Sequence, residues 1–200
     1  MTDEGNGLRA RKKRATARRI ETVALGLFES DGFDATTVEA IASAADIAPR
    51  TFFHYFPTKE DVVLADYEDR LVRVVETLEA QPPDVPAWSA LAAAFRAVAA
   101  DYETARDDLI RRFRVMATTG SVFARSLQLQ AGWEDAVADV LTRRMEKRPG
   151  QPDPRLLAAA GVAAMRSALS RWLSADAAES LPDLVQNCFR ALGQGLDQPP

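Results

Sequence analysis

Cysteine and histidine are almost absent from this 200-residue chain, which has one of each, Cys188 and His54. A single cysteine excludes an intramolecular disulfide, which fits a reducing compartment, and the expected location is the cytoplasm. The single histidine has no cysteine or carboxylate partner near it in sequence, and no metal-ligand cluster is visible, so neither a zinc site nor a catalytic role is expected of it. No phosphate-cradling glycine loop and no nucleophile elbow is present, so catalytic residues, metal and cofactor are all expected to be none. Cys188 shares an apolar helical stripe with Leu184, Val185 and Leu192 and reads as a small packing residue. No run approaches the ~20 apolar residues that a membrane span requires. The N-terminal stretch is charged with no apolar segment behind it, unlike a secretory leader. Alanine is abundant and β-branched runs are scarce in a chain that is 47% hydrophobic, a composition that favours packed helices over sheet.

The net charge is only −4, which taken alone argues against a polyanionic partner. Its distribution argues the other way. Arg9, Arg11, Lys12, Lys13, Arg14, Arg18 and Arg19 fall between Leu8 and Arg19 with no acid among them, so the rest of the chain is strongly acidic. Such asymmetry suits a basic arm that grips nucleic acid, and it suits a solubilising tail equally well. Residues 1–14 are expected to be a disordered basic arm.

Beyond the arm, apolar residues recur with a helical period. Ile20, Val23, Ala24, Leu27 and Phe28 line one face of a helix that starts near Ala15 and stops at Asp31-Gly32, where glycine suits a left-handed residue. Thr36-Thr37-Val38-Glu39 reads as a capping box in which Thr36 accepts from the Glu39 amide. The short helix that follows would bury Val38, Ile41, Ala42 and Ala45. Asp46 falls in a turn that calls for a left-handed residue, and Pro49 suits the first turn of a helix reaching Phe56. Pro57 stops that helix, and Thr58, with Asp61 three residues on, caps a long helix to about Ala80. Residues 81–86 form a proline-rich corner. A stripe of Trp88, Leu91, Phe95, Val98 and Tyr102 then marks another helix, and more are expected over Ala105–Thr118, Val122–Arg148, Arg155–Ser174 and Leu181–Leu196. The expected fold is all-α, about nine helices: a three-helix helix-turn-helix domain over residues 15–60 and a C-terminal helical domain over 61–200.

Two short capped helices joined by a tight turn, behind a longer supporting helix, make a helix-turn-helix, whose second helix enters the DNA major groove. Here Phe52 and Phe56 lie one turn apart and face the core with Ile47. Arg50, Thr51, Phe53, His54 and Tyr55 occupy the other side, and none is acidic, as a surface facing phosphates requires.

The run Ala48-Pro49-Arg50-Thr51-Phe52-Phe53-His54-Tyr55-Phe56-Pro57-Thr58-Lys59-Glu60, with Gly32-Phe33-Asp34-Ala35-Thr36-Thr37-Val38-Glu39-Ala40-Ile41-Ala42 before it, resembles the signature of TetR-family regulators. The match covers about residues 15–62. It implies a homodimeric one-component transcriptional regulator, a repressor in its simplest form, bound to a palindromic double-stranded DNA operator. It further implies that Thr37 and Tyr55 touch phosphates, that Arg50, Thr51 and His54 reach base edges, and that Lys59 pairs with a phosphate. Two positions depart from the pattern. Asp46 stands where the turn usually has glycine. Phe53 replaces a tyrosine, so it can pack on sugar or a thymine methyl but cannot donate to a phosphate.

The C-terminal half is less specific, and the resemblance implies ligand binding and dimerisation there. Ala158, Ala159, Ala160, Gly161, Ala163, Ala164 and Ala168 allow another helix to approach closely, either across a dimer or within one chain. Arg111-Arg112-Phe113-Arg114, Phe123-Ala124-Arg125, Trp133, Arg143-Arg144-Met145 and Trp172 resemble regulators that respond to acyl-coenzyme A, including those of the mycofactocin system. They also suit an amphipathic core with solvated arginines. The implied pocket comprises Arg112, Phe113, Met116, Phe123, Leu127, Trp133, Met165 and Trp172, with Arg111, Arg114 and Arg125 near an anionic head group. An acyl-coenzyme A-like effector is the leading ligand and an uncharged hydrophobic compound the second. A helical adaptor without ligand control is the remaining alternative.

Overall fold

The structure is a computed structural model that describes residues 3–145, 152–175 and 178–195, with side chains from residue 11 onward. Its regular elements are all helical: α1 (Asp3–Ser30), α2 (Val38–Ala44), α3 (Pro49–Tyr55), α4 (Lys59–Val63), α5 (Tyr67–Glu79), α6 (Ala87–Thr104), α7 (Arg106–Thr118), α8 (Gly120–Met145), α9 (Pro154–Ser174) and α10 (Leu181–Gln194). The expected helix ends at Arg148 and Leu196 lie outside the described residues. Two expectations differ at the level of single elements, and the second of them makes the described helices ten rather than nine.

The first concerns the arm, which is helical as part of α1 from Asp3 onward rather than disordered. Ile20, Ala24, Leu25 and Phe28 are buried and fix the later turns of α1. Once those turns are anchored the nucleation cost is met, and the stretch from Arg9 to Arg19, rich in Arg, Lys and Ala, extends the helix towards the N-terminus. The second concerns the helix after Thr58. The expected capping box forms, with the Asp61 amide donating to Thr58 Oγ1 and the Thr58 amide donating to Asp61 Oδ2 at 3.1 Å. The helix then ends after five residues and restarts at Tyr67. Val62, Val63 and Leu64 are buried, and Leu64 leaves the helical conformation at φ −103° and ψ 16°. The chain therefore turns.

The described residues fall into two compact units, one reaching to Ala65 and including Arg111–Ser126, the other comprising Asp66–Ile110 and the residues from Leu127 onward. Residues 61–65 and 111–126, expected in the C-terminal domain, thus belong with the N-terminal one. In the first unit Gly32 is left-handed at φ +87°, as expected, and so is Asp46 at φ +53°. The cap of α2 is shifted by one residue: Thr37 Oγ1 accepts from the Ala40 amide at 3.1 Å. Thr36 is turned inward and its hydroxyl donates to the Gly32 carbonyl at 2.8 Å, closing the reversal after α1.

In the second unit α6 packs on α5, α9 and α10 around buried Leu91, Phe95, Val98, Trp172, Leu181 and Phe189. A Cβ placed on Gly161 would come within 2.9 Å of Leu91 Cδ2 and 3.1 Å of Phe95 Cε2. The close approach that glycine permits is therefore made by α6 of the same chain. Ala158, Ala164 and Ala168 are buried as well, whereas Ala159, Ala160 and Ala163 are half-exposed. Arg144 secures the proline-rich corner by donating to the carbonyls of Gln81 at 2.9 Å and Val85 at 2.9 Å, and to that of Pro82.

Burial raises the phenols of Tyr67 and Tyr102 above the usual value near 10. Below about pH 10 both folded and unfolded chains keep these protons, and the shift has no effect on stability. Above it the unfolded chain releases them while the folded chain holds them, so stability falls as pH rises. Denaturant midpoints measured from neutral pH upward are expected to be level and then to drop in the alkaline range, and Tyr67→Phe flattens that drop. An unchanged alkaline slope in the variant contradicts burial of the Tyr67 phenol.

Candidate nucleic-acid interface

The first unit builds a surface around α3. Phe52 is fully buried and Phe56 nearly so, their rings 5.9 Å apart, which fixes the rotation of this seven-residue helix. A helix so short does not hold itself, and its orientation comes from this anchor and from the turn before it. In that turn the Ile47 amide donates to the Ala42 carbonyl at 3.0 Å and the Asp46 amide to the Ser43 carbonyl at 3.1 Å. Asp46 supplies the left-handed residue in place of glycine, since its short polar side chain tolerates that region.

With Phe52 inward, Arg50, Phe53 and His54 point outward at spacings of three and four residues and form one exposed stripe. Phe53 is 53% exposed, an unusual state for a phenylalanine without a partner surface. Thr51 and Tyr55 flank the stripe and are half-buried. Tyr55 stands edge-on to His54, ring centroids 5.4 Å apart. Thr37 is exposed at the start of α2. Its oxygen accepts from Ala40, so its hydroxyl proton remains available for an external acceptor. Arg11, Lys12, Lys13, Arg14 and Arg18 are exposed along α1, and Arg9 lies on the same helix. Arg11, Arg14 and Arg18 share one face of it.

Lys59 is more committed than its expected phosphate role requires. Its Nζ donates to the carbonyls of Phe33 at 2.7 Å and Thr36 at 2.8 Å, and lies 4.4 Å from the Phe33 ring centroid. Two of its three N–H groups thus hold the loop that leads into Thr37.

Three of the four arginines expected near a ligand head group, Arg111, Arg112 and Arg125, are bound to acids of this same unit, and the fourth, Arg114, is exposed. Arg111 makes a two-pronged pair with Glu29 at 2.8 and 2.9 Å, and its hydrogen bond holds the Glu29 carboxyl below its usual range. Arg112, 9% exposed, donates to Glu21 at 2.6 Å and to the carbonyls of Val62 at 2.7 Å and Val63 at 3.1 Å. Arg125 pairs with Asp61 at 3.1 Å. Neither the arginines nor their partners announce this in sequence, because the acids read locally as the solvent face of α1 and a capping residue.

The other expected pocket residues are divided between the units. Phe113 and Met116 are half-buried and Phe123 is 52% exposed in the first; in the second, Leu127 is 42% exposed and Trp133, Met165 and Trp172 are buried. Trp133 lies 5.9 Å from Tyr67 and 6.5 Å from Phe95, centroid to centroid, in an aromatic cluster. The indole N–H of Trp172 is buried without an acceptor among the described residues. Among those residues, too, no cluster of three metal-ligating side chains occurs and no helix is long and apolar enough to cross a membrane.

Comparison with known proteins agrees with this geometry. Residues 20–65 match the family described as bacterial regulatory proteins, tetR family, and residues 85–197 match the MftR C-terminal domain. The chain is 30% identical over 188 residues, 94% of each chain, to a Mycobacterium tuberculosis protein described as a mycofactocin biosynthesis transcriptional regulator, MftR. It is 41% identical over 97 residues to the HTH-type transcriptional regulator TcmR of Streptomyces glaucescens, covering 48% of this chain and 43% of that one. Among solved structures, the fatty acid degradation regulator FadR of Bacillus halodurans aligns over 89% of this chain and 98% of its own, with a TM-score of 0.62 and 20% identity. FadR of Thermus thermophilus, solved with lauroyl-CoA, aligns over 92% and 96%, with a TM-score of 0.58 and 22% identity. At these identities the two structures speak to the fold.

Proposed function

Because the chain belongs to the TetR family of transcriptional regulators, we propose that it is a homodimeric repressor that reads a palindromic operator through α3 and is released by a small hydrophobic effector. The observation that carries the DNA reading is the outward stripe of Arg50, Phe53 and His54 on a helix whose rotation is set by buried Phe52. The stripe has hydrogen-bonding and apolar contacts for base edges and no carboxylate to repel phosphates. Thr37, Tyr55, the third N–H of Lys59 and the cations of α1 supply the sequence-independent share.

The test is selection of bound sites from a random duplex library, followed by affinity measurements on the selected operator. Affinity is expected to fall with salt at a log–log slope of about −0.9 per phosphate neutralised. Arg50→Ala and His54→Ala should each lose about 1–3 kcal/mol of discrimination at particular base pairs, while Tyr55→Phe weakens all sequences alike. A library from which no symmetric site emerges, or base discrimination unaltered by both α3 variants, overturns this reading.

For the effector, the second unit holds the aromatic cluster of Tyr67, Phe95 and Trp133 and also a buried indole N–H, that of Trp172, with no acceptor among the described residues. A buried donor without an acceptor is costly, and an oxygen on an otherwise apolar ligand would relieve it. An acyl thioester has that character, and lauroyl-CoA is the ligand named for the Thermus relative. Arg111, Arg112 and Arg125 drop out of the head-group role because their charges are already paired. Whatever the compound, it must bind the DNA-free form better than the DNA-bound form. Titration of an acyl-coenzyme A chain-length series against the operator complex is expected to show release that strengthens with chain length.

A further inference from the structure

We infer that Arg112 is a positioning residue for DNA docking: it ties the C-terminal end of α4 to α1 in the frame on which the helix-turn-helix sits. The inference rests on the DNA-binding reading above. Its physical starting point is α4, a helix of five residues (Lys59–Val63) that cannot persist by its own propensity. At its N-terminal end α4 carries Lys59, whose ammonium holds the Phe33 and Thr36 carbonyls and so sets the loop immediately before Thr37. At its C-terminal end α4 breaks, and the carbonyls of Val62 and Val63 would be left in a buried region. Continued helix would have supplied their donors from the main chain four residues on. The turn that buries Leu64 removes that supply.

Arg112 replaces it. One nitrogen, Nη1, donates to both carbonyls at 2.7 and 3.1 Å, and Nη2 donates to Glu21 of α1 at 2.6 Å. The planar fork of a guanidinium can meet acceptors in two directions at once, and a cation is favoured where helix carbonyls converge. Arg112 therefore ties the end of α4 to α1, the helix that carries the basic arm, while Arg125 takes hold of Asp61 in the first turn of α4 at 3.1 Å. Residues from α7 and α8, some fifty positions beyond the motif, thus set where Lys59 and Thr37 stand. None of these arginine contacts lies on the outward stripe of α3. Loss of Arg112 should consequently disturb the geometry with which the phosphate and base contacts coincide, while leaving the contacting side chains themselves in place.

The experiment compares wild type with Arg112→Gln, Arg112→Lys and Glu21→Gln in two readouts. The first is the affinity for the selected operator against that for unrelated duplex, with the salt slope of each. A positioning role lowers operator affinity about tenfold or more in Arg112→Gln, since buried carbonyls lose their partners, while affinity for unrelated duplex stays within about twofold. Arg112→Lys recovers only part of the loss, because a point-like ammonium cannot serve the carbonyl pair and Glu21 together. The second readout is amide exchange in free protein. Exchange over residues 59–64 and 33–40 is expected to accelerate in Arg112→Gln, while α9 and α10 keep wild-type protection.

Equal loss of affinity for operator and unrelated duplex, or full rescue by lysine, overturns the inference. Unchanged exchange over 59–64 overturns it without reference to DNA, so failure of the DNA-binding reading, seen in wild type itself, is told apart from failure of this one. If Arg112→Gln does not fold, Glu21→Gln decides: it leaves the carbonyls capped but loosens the tie to α1. A reduced operator preference in Glu21→Gln supports the positioning role, and a preference equal to wild type removes it.

Discussion

Gly161→Asp is expected to unfold the second unit rather than to yield a folded, DNA-free monomer. The stripe of small residues on α9 invites the opposite forecast, that a charge there merely splits a dimer. The position of Gly161 decides against it: its hydrogen faces Leu91 and Phe95 of the same chain, with no room for a Cβ at 2.9 Å from Leu91 Cδ2. Overpacking alone costs about 1–3 kcal/mol. Burying a carboxylate among leucine and phenylalanine with no partner adds several kcal/mol more, roughly the whole stability of a domain. Circular dichroism melts and size-exclusion chromatography are the readouts, with loss of the cooperative transition expected. Gly161→Ala is the control, costing about 1 kcal/mol because the flexible end of Leu91 can yield. A Gly161→Asp protein that melts like wild type contradicts the packing of α9 on α6. To probe association without unfolding, the charge belongs at half-exposed Ala163, where a folded chain with weakened self-association is the outcome that supports a dimer through α9.

Phe52→Ala is the second large effect, and it falls on the other unit. Phe52 is completely buried and its ring meets Phe56 at 5.9 Å and Phe53 at 5.5 Å. Truncating a fully buried phenylalanine costs about 3–5 kcal/mol through lost transfer energy and the cavity left behind. The cost has a functional reading as well, because Phe52 is what turns Arg50, Phe53 and His54 outward. Denaturant unfolding should therefore lose that stability, and operator binding should fail at temperatures where the second unit is still protected in amide exchange. A loss below about 1 kcal/mol, or intact operator binding, is incompatible with Phe52 as the anchor of α3.

The interface is legible from sequence where short-range chemistry governs. Asp46 at the turn, Pro49 in the first turn of α3, the Thr58–Asp61 capping box and the alternation of Phe52 and Phe56 with polar neighbours all depend on residues within a turn or two. The structure realises each of them. Local reading fails where a neighbour's hydrogen bond is decided elsewhere. Pattern alone makes Thr36 the cap of α2, yet its hydroxyl donates inward to the Gly32 carbonyl and Thr37 takes the role. The helix from Thr58 reads as continuous to Ala80, because nothing between Val63 and Tyr67 is a helix breaker.

What the amino-acid sequence determined by itself is the all-helical class, the helix-turn-helix and the face that α3 presents, since helical periodicity, caps and turn residues act over a few positions. Tertiary structure alone decided the fate of the arginines. Arg111, Arg112 and Arg125 meet Glu29, Glu21 and Asp61 across 82, 91 and 64 residues, and a cation's partner at such a separation is chosen by chain packing. The same holds for Gly161, where composition announces a close approach but only the packed chain says that α6 makes it. It holds also for the break after α4, where a distant guanidinium satisfies the Val62 and Val63 carbonyls that the break leaves without a main-chain donor.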